Sequence, residues 1–105
     1  MDKYTILLVD DEEEVIQAII RKINWEELGF SVVGYADNGI KALEMIEESQ
    51  PDVVMTDIKM PYMDGMELCS HIRREYPAMK IDFLQVLMSL NMQRKRFIWK
   101  WRNIF

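Results

Sequence analysis

Apolar positions along the first 80 residues switch repeatedly between a strand pattern and a helical one. Tyr4-Thr5-Ile6-Leu7-Leu8-Val9 is a continuous apolar, partly β-branched run, as expected of a strand covered on both faces, and Asp10-Asp11 ends it. Val15, Ile16, Ile19, Ile20 and Ile23 then recur at helical spacing, with Glu12, Glu13 and Glu14 in the first turn, where the helix dipole favours anions. Leu28-Gly29 closes the connection to a second strand at residues 30–36, and Asp37-Asn38-Gly39 is a turn and helix-capping cluster. Ile40, Leu43 and Ile46 are the expected buried face of a second helix, which Pro51 terminates. Val53-Val54-Met55-Thr56 reads as a short central strand ending at Asp57. A loop over residues 59–65 leads to a third helix, with Met66, Leu68, Cys69, Ile72 and Tyr76 on its apolar side and Pro77 as its stop. Lys80-Ile81 opens a fourth strand. Strands alternating with helices through short connections predict the α/β class, a doubly wound parallel sheet with crossover helices. Beyond Ile81 that rhythm is lost. Phe97, Trp101 and Ile104 predict one face of a basic helix there, although Ile98 and Trp99 interrupt its polar side.

A chain of 105 residues is enough for one domain. Half of it is apolar and 30% charged, too hydrophobic for a disordered chain. No apolar stretch approaches the roughly 18 residues of a spanning helix, and residues 1–3 lead straight into a strand pattern instead of a signal peptide, so the expectation is a cytoplasmic protein with no membrane partner. The lone Cys69 excludes an internal disulfide or a thiol metal cluster and reads as a small core hydrophobe. Met55 and Met66 likewise read as core fillers. Charge divides the chain in two: residues 1–80 carry 8 Lys and Arg against 17 Asp and Glu, net −9, whereas residues 81–105 carry 5 against Asp82 alone, net +4. The second segment holds Trp99, Trp101, Phe83, Phe97 and Phe105 but neither Gly nor Pro. A membrane-surface anchor, a nucleic-acid arm and a segment without an evolved role all suit that composition, and the missing polar face favours the last.

Three acids follow strands: Asp10 and Asp11 after the first, Asp57 after the third. Loops after strand C-termini converge on one edge of an open parallel sheet, so adjacency of those two strands would bring the carboxylates together. Like charges held that close repel unless a cation lies between them, and an all-oxygen site of this kind suits Mg²⁺ with substrate phosphate. A carboxylate beside such a metal can attack a phosphoryl group, and Asp57 is placed for it, with the Lys59 backbone carbonyl available to the metal. The competing reading makes Asp10 and Asp11 solvated helix-start residues and Asp57 a turn residue. Spacing alone does not choose between the two.

Longer motifs do. Residues 6–12 (Ile-Leu-Leu-Val-Asp-Asp-Glu), Asp37-Asn38-Gly39 with Ala42-Leu43, and the unbroken stretch from Pro51 through Asp57 to Asp64-Gly65 and Leu68 resemble the receiver domain of bacterial two-component response regulators, over residues 4–81. The segment from Ile23 to Phe30 resembles the subgroup whose receivers precede an arabinose-regulator-type helix-turn-helix domain; no such DNA-binding domain is present in this chain. The resemblance implies a flavodoxin-like receiver fold, incomplete at its C-terminus. It makes Asp57 the phosphoacceptor and Asp10 and Asp11 the acidic pair, with Mg²⁺ held directly by Asp11, Asp57 and the Lys59 carbonyl and indirectly by Asp10. Its implied phosphodonor is a sensor histidine kinase. Two switch elements of the family are missing: Gln85 stands about where a Thr or Ser belongs, and no Lys-Pro pair occurs. The resulting expectation is phosphorelay signalling, not enzyme activity, in a truncated form impaired in switching and prone to self-association. An aspartate-nucleophile phosphohydrolase would need a second acid two residues after the nucleophile, where Lys59 stands. A fragment that only binds partners is the remaining alternative.

The chain is thus expected to comprise a receiver portion, residues 1–81, with three βα units and the start of strand four, and an unrelated basic aromatic tail, residues 82–105, translated out of frame. The genetic code lets this expectation be checked on paper. Joining the third base of each codon to the first two of the next, Met92-Gln93 must give Ala and Trp99-Lys100 must give Glu, while Asn91-Met92 can give only Tyr or His and Gln85-Val86 only Gly or Ser. With permitted codons the tail reads FLTGFDEFEYAKKAIHLEVAEYI, which resembles a receiver's strand four ending in Thr, an acidic aromatic helix and the start of strand five.

Overall fold

A computed structural model describes the backbone of residues 3–91 and 94–103 and the side chains of residues 3–84. Five strands form one sheet in the order β2-β1-β3-β4-β5: β1 (Tyr4–Val9), β2 (Phe30–Ala36), β3 (Val53–Thr56), β4 (Lys80–Asn91) and β5 (Arg94–Asn103). The first four run parallel and β5 returns antiparallel to β4. Helices α1 (Glu13–Lys22), α2 (Gly39–Ser49) and α3 (Gly65–Glu75) make the crossovers.

The continuous apolar run of β1 is explained by layers on both sides. Ile6 and Leu8 point into one cluster with Val15, Ile16 and Ile19 of α1, Met55 and Leu84; Leu7 and Val9 point into the other with Ala42 and Ile46 of α2, Leu68, Cys69 and Ile72 of α3, Val54 and Ile81. The alternation follows from the two-residue side-chain period of a strand. Strand β2, at the edge, shows half-buried and exposed positions in turn. Helices α2 and α3 begin on side-chain caps: Asn38 Oδ1 accepts from the Lys41 amide at 3.0 Å and Asp64 Oδ1 from the Glu67 amide at 2.9 Å.

Three expectations change. The buried face of α2 is Gly39, Ala42 and Ile46, while Ile40 is exposed, because the sheet contacts the helix one position round from the predicted stripe. Met66 is exposed on the first turn of α3, whereas Met55 and Cys69 are buried. The tail is a strand at residues 94–103, not a helix; its extended backbone finds a ladder on β4, from Asp82 opposite Asn103 to Asn91 opposite Arg94. Ile104 lies outside the described residues. Strand β4 pairs with β3 only over Lys80–Phe83 and continues into the hairpin.

Candidate functional site

Strands β1 and β3 are neighbours, with Val9 opposite Thr56, so Asp10 and Asp57 leave the sheet side by side. Backbone bonds fix both exits: the Asp57 amide donates to the Val9 carbonyl at 2.9 Å and the Asp10 amide to the Ala36 carbonyl at 3.1 Å. Carboxylate oxygens of Asp10, Asp11 and Asp57 all lie within 4.8 Å of one another. Asp10 is buried, Asp57 half-buried and Asp11 exposed, which gives one acid floor, one wall and one rim. A cavity of about 270 Å³ beside them is lined by Asp10, Asp11, Glu13, Tyr35 and Lys41, among others. The larger groove, at the opposite end of the strands, is lined by Tyr4, Phe30, Tyr76 and Pro77 and holds none of the three acids.

Burial pushes the Asp10 carboxyl from 3.8 up to about 7, and the charges of Asp57, Asp11 and Glu12 add to this; the Glu12 amide, donating to Asp10 Oδ1 at 2.8 Å, opposes it. Asp57 is also raised, again chiefly by burial and then by Asp11 and Glu12, against the amides of Ile58 and Lys59 that favour its ionised form. Ile58 donates to Asp57 Oδ1 at 2.7 Å. Three clustered carboxylate oxygens are a donor set for a hard divalent cation, whose charge would offset the repulsion among them.

Sequence reasoning overlooked Thr56, which is fully buried and donates its hydroxyl to the Asp57 carbonyl at 2.9 Å. Its signal was a polar side chain closing an apolar run. Gln85 lies outside the residues whose side chains are described.

An open, mostly parallel sheet with an acid cluster at the strand C-termini defines an α/β domain whose candidate ligand site lies at that edge. A family model, the response regulator receiver domain, matches residues 6–96, and the chain belongs to that family. The uncharacterized transcriptional regulatory protein YesN of Bacillus subtilis (strain 168) is 44% identical over 81 residues, 77% of this chain and 22% of YesN. Chemotaxis protein CheY of Halobacterium salinarum is 46% identical over 68 residues, 65% of this chain and 54% of CheY. A solved structure of a two component transcriptional regulator AraC from Clostridium phytofermentans superposes with a TM-score of 0.72 at 39% identity, covering 77% of this chain and 65% of that one. The chain spans about a fifth of YesN's length. Among the described residues no helix is long and apolar enough to cross a membrane.

Proposed function

We propose that this domain accepts a phosphoryl group on Asp57 in a two-component phosphorelay, with a sensor histidine kinase in the same cytoplasmic compartment as donor. The observation that carries the reading is the convergence of Asp10, Asp11 and Asp57 within 4.8 Å at the C-terminal edge of the sheet. An Asp57 carboxylate oxygen attacks phosphorus; the new O–P bond forms as the donor's N–P bond breaks, and the electron pair stays on the imidazole nitrogen, which takes up a proton. Asp11, Asp57 and the Lys59 carbonyl would hold Mg²⁺, with Asp10 acting through water, and the three carboxylates fit a small hard cation. When bound, Mg²⁺ neutralises charge on the transferring oxygens. The amides of Ile58 and Lys59 favour the ionised form of Asp57 against the burial that raises its carboxyl, and the Ile58 bond helps to orient it.

A phosphohydrolase is disfavoured because Lys59 stands where the leaving-group acid would be needed. Transmission of the signal is impaired in this reading, since Gln85 stands about where the switch hydroxyl belongs. Incubation with Mg²⁺ and a small acyl phosphate should add one base-labile phosphoryl group. Labelling that persists in Asp57→Asn would sink the assignment.

A further inference from the structure

The loop from β3 to α3 is tied at both ends, and by different elements. Near Asp57, the Ile58 amide bonds the Asp57 carboxylate, and the Gly65 amide donates to the Ile58 carbonyl at 2.7 Å. At its far side the Gly39 amide, from the first residue of α2, donates to the Met63 carbonyl at 3.2 Å, and the Met63 amide donates to the Pro61 carbonyl at 2.8 Å. Gly39 reaches that carbonyl because it has no side chain. A methyl group there would lie 2.7 Å from Met63 Cγ and 2.8 Å from both Met63 Cβ and the Met63 carbonyl oxygen. Two of those three atoms belong to the backbone or to its first side-chain atom, so the loop itself would have to move. Gly34 in β2 differs: a methyl there would meet Met45 Cε at 2.5 Å, the far end of a flexible side chain that can swing away.

We propose that Gly39 is a positioning residue for the metal site, clamping residues 58–64 so that the Lys59 backbone and the Asp57 carboxylate stay aimed at Asp10 and Asp11. The inference rests on the reading of those acids as a Mg²⁺ and phosphoryl site. A loop released at one end regains conformational freedom, and each ligand it carries must then be re-ordered on binding. The contact that carries the effect of Gly39 is the one with Met63.

Mg²⁺ titration calorimetry on the full chain tests this, with helix content and thermal unfolding followed in parallel. If the parent chain binds no Mg²⁺, the functional reading itself fails. If it binds, Gly39→Ala should weaken Mg²⁺ affinity about tenfold, the low end of what loss of an outer supporting contact costs, while Gly34→Ala leaves it unchanged. A folded Gly39→Ala chain with parental affinity overturns the proposal, and so does an equal loss in Gly34→Ala, which would mark a general response to instability. Should Gly39→Ala not fold, Asn38→Ala carries the test: it removes the cap bond to Lys41 and loosens the first turn of α2 without a clash. That variant should also weaken Mg²⁺ binding, and parental affinity in it overturns the proposal.

Discussion

Asp10 is buried beside two other acids, and the cost of ionising it there governs how the site responds to pH. With its carboxyl raised from 3.8 to about 7, the folded chain keeps a proton that the unfolded chain has released across that interval. Its contribution to stability is therefore full below pH 4 and is lost as pH rises through 7; Asp57, raised in the same direction, adds to the trend. In the absence of divalent cations, Asp10→Asn should raise stability at pH 8 by on the order of 1–3 kcal/mol. The gain should shrink toward zero at pH 4, and thermal melts of both chains in a chelator across this range measure it. A gain that grows as pH falls would contradict the assignment of the shift to burial. Mg²⁺ binding has the opposite sign, because the ligands must be ionised: affinity should rise from pH 5 to 8, with protons released on binding. In the proposed site Asp11→Asn would delete a ligand and a charge together, so it should weaken Mg²⁺ binding at every pH, as seen by the same titration.

At the scale of elements, α2 separates what pattern reveals from what packing decides. Ile46 is fully buried against Leu7 and Val54, and Ile46→Ala should cost about 2–5 kcal/mol. Ile40 is half exposed, so Ile40→Ala should stay within roughly 0.5 kcal/mol. Denaturant melts of the two variants distinguish them, and similar losses would restore the predicted stripe. The helix itself was legible, since Asn38 and Gly39 mark its start and apolar residues recur along it. Which of those residues meets the sheet depends on helix rotation, which no local period encodes. The acids were legible for a similar reason. Asp10 and Asp57 each follow an apolar run, whereas the adjacency of β1 and β3, the Thr56 hydroxyl bond and the Gly39 contact depend on strand order and on loops whose path the sequence does not declare. The tail misled because its apolar residues recur at both helical and strand spacings. Odd positions from Phe97 to Trp101 are aromatic and even ones from Arg94 to Arg102 mostly basic, a two-residue period that the hairpin with β4 follows.

For the whole molecule, the sheet changes character within a few residues. Parallel pairing stops at Phe83, β4 runs on into an antiparallel hairpin of ten residue pairs, and no helix follows β4 among the described residues. Among the described residues no strand pairs with the outer edge of β5, and such an edge pairs readily with another chain. Apparent mass by light scattering should therefore climb with concentration; a strictly monomeric sample with a sharp unfolding transition would refute this. The abrupt change falls where net charge turns from −9 to +4, and we propose that a shift of reading frame near codon 82 underlies both breaks. In the alternative frame the Met92-Gln93 and Trp99-Lys100 junctions have forced outcomes, Ala and Glu, and these fall inside a stretch that resembles a receiver's fourth helix and fifth strand. Other codons leave freedom, so the nucleotides themselves must decide. Sequencing codons 82 to 105 and the bases beyond should reveal an open alternative frame that reads Thr at Leu84-Gln85 and reaches a Lys-Pro pair downstream. Early stops in that frame would defeat the idea. If the frame is open, joining it at codon 82 should replace the hairpin with parallel strands and covering helices, abolish the concentration dependence, and give a chain whose unfolding becomes cooperative and responsive to phosphorylation at Asp57.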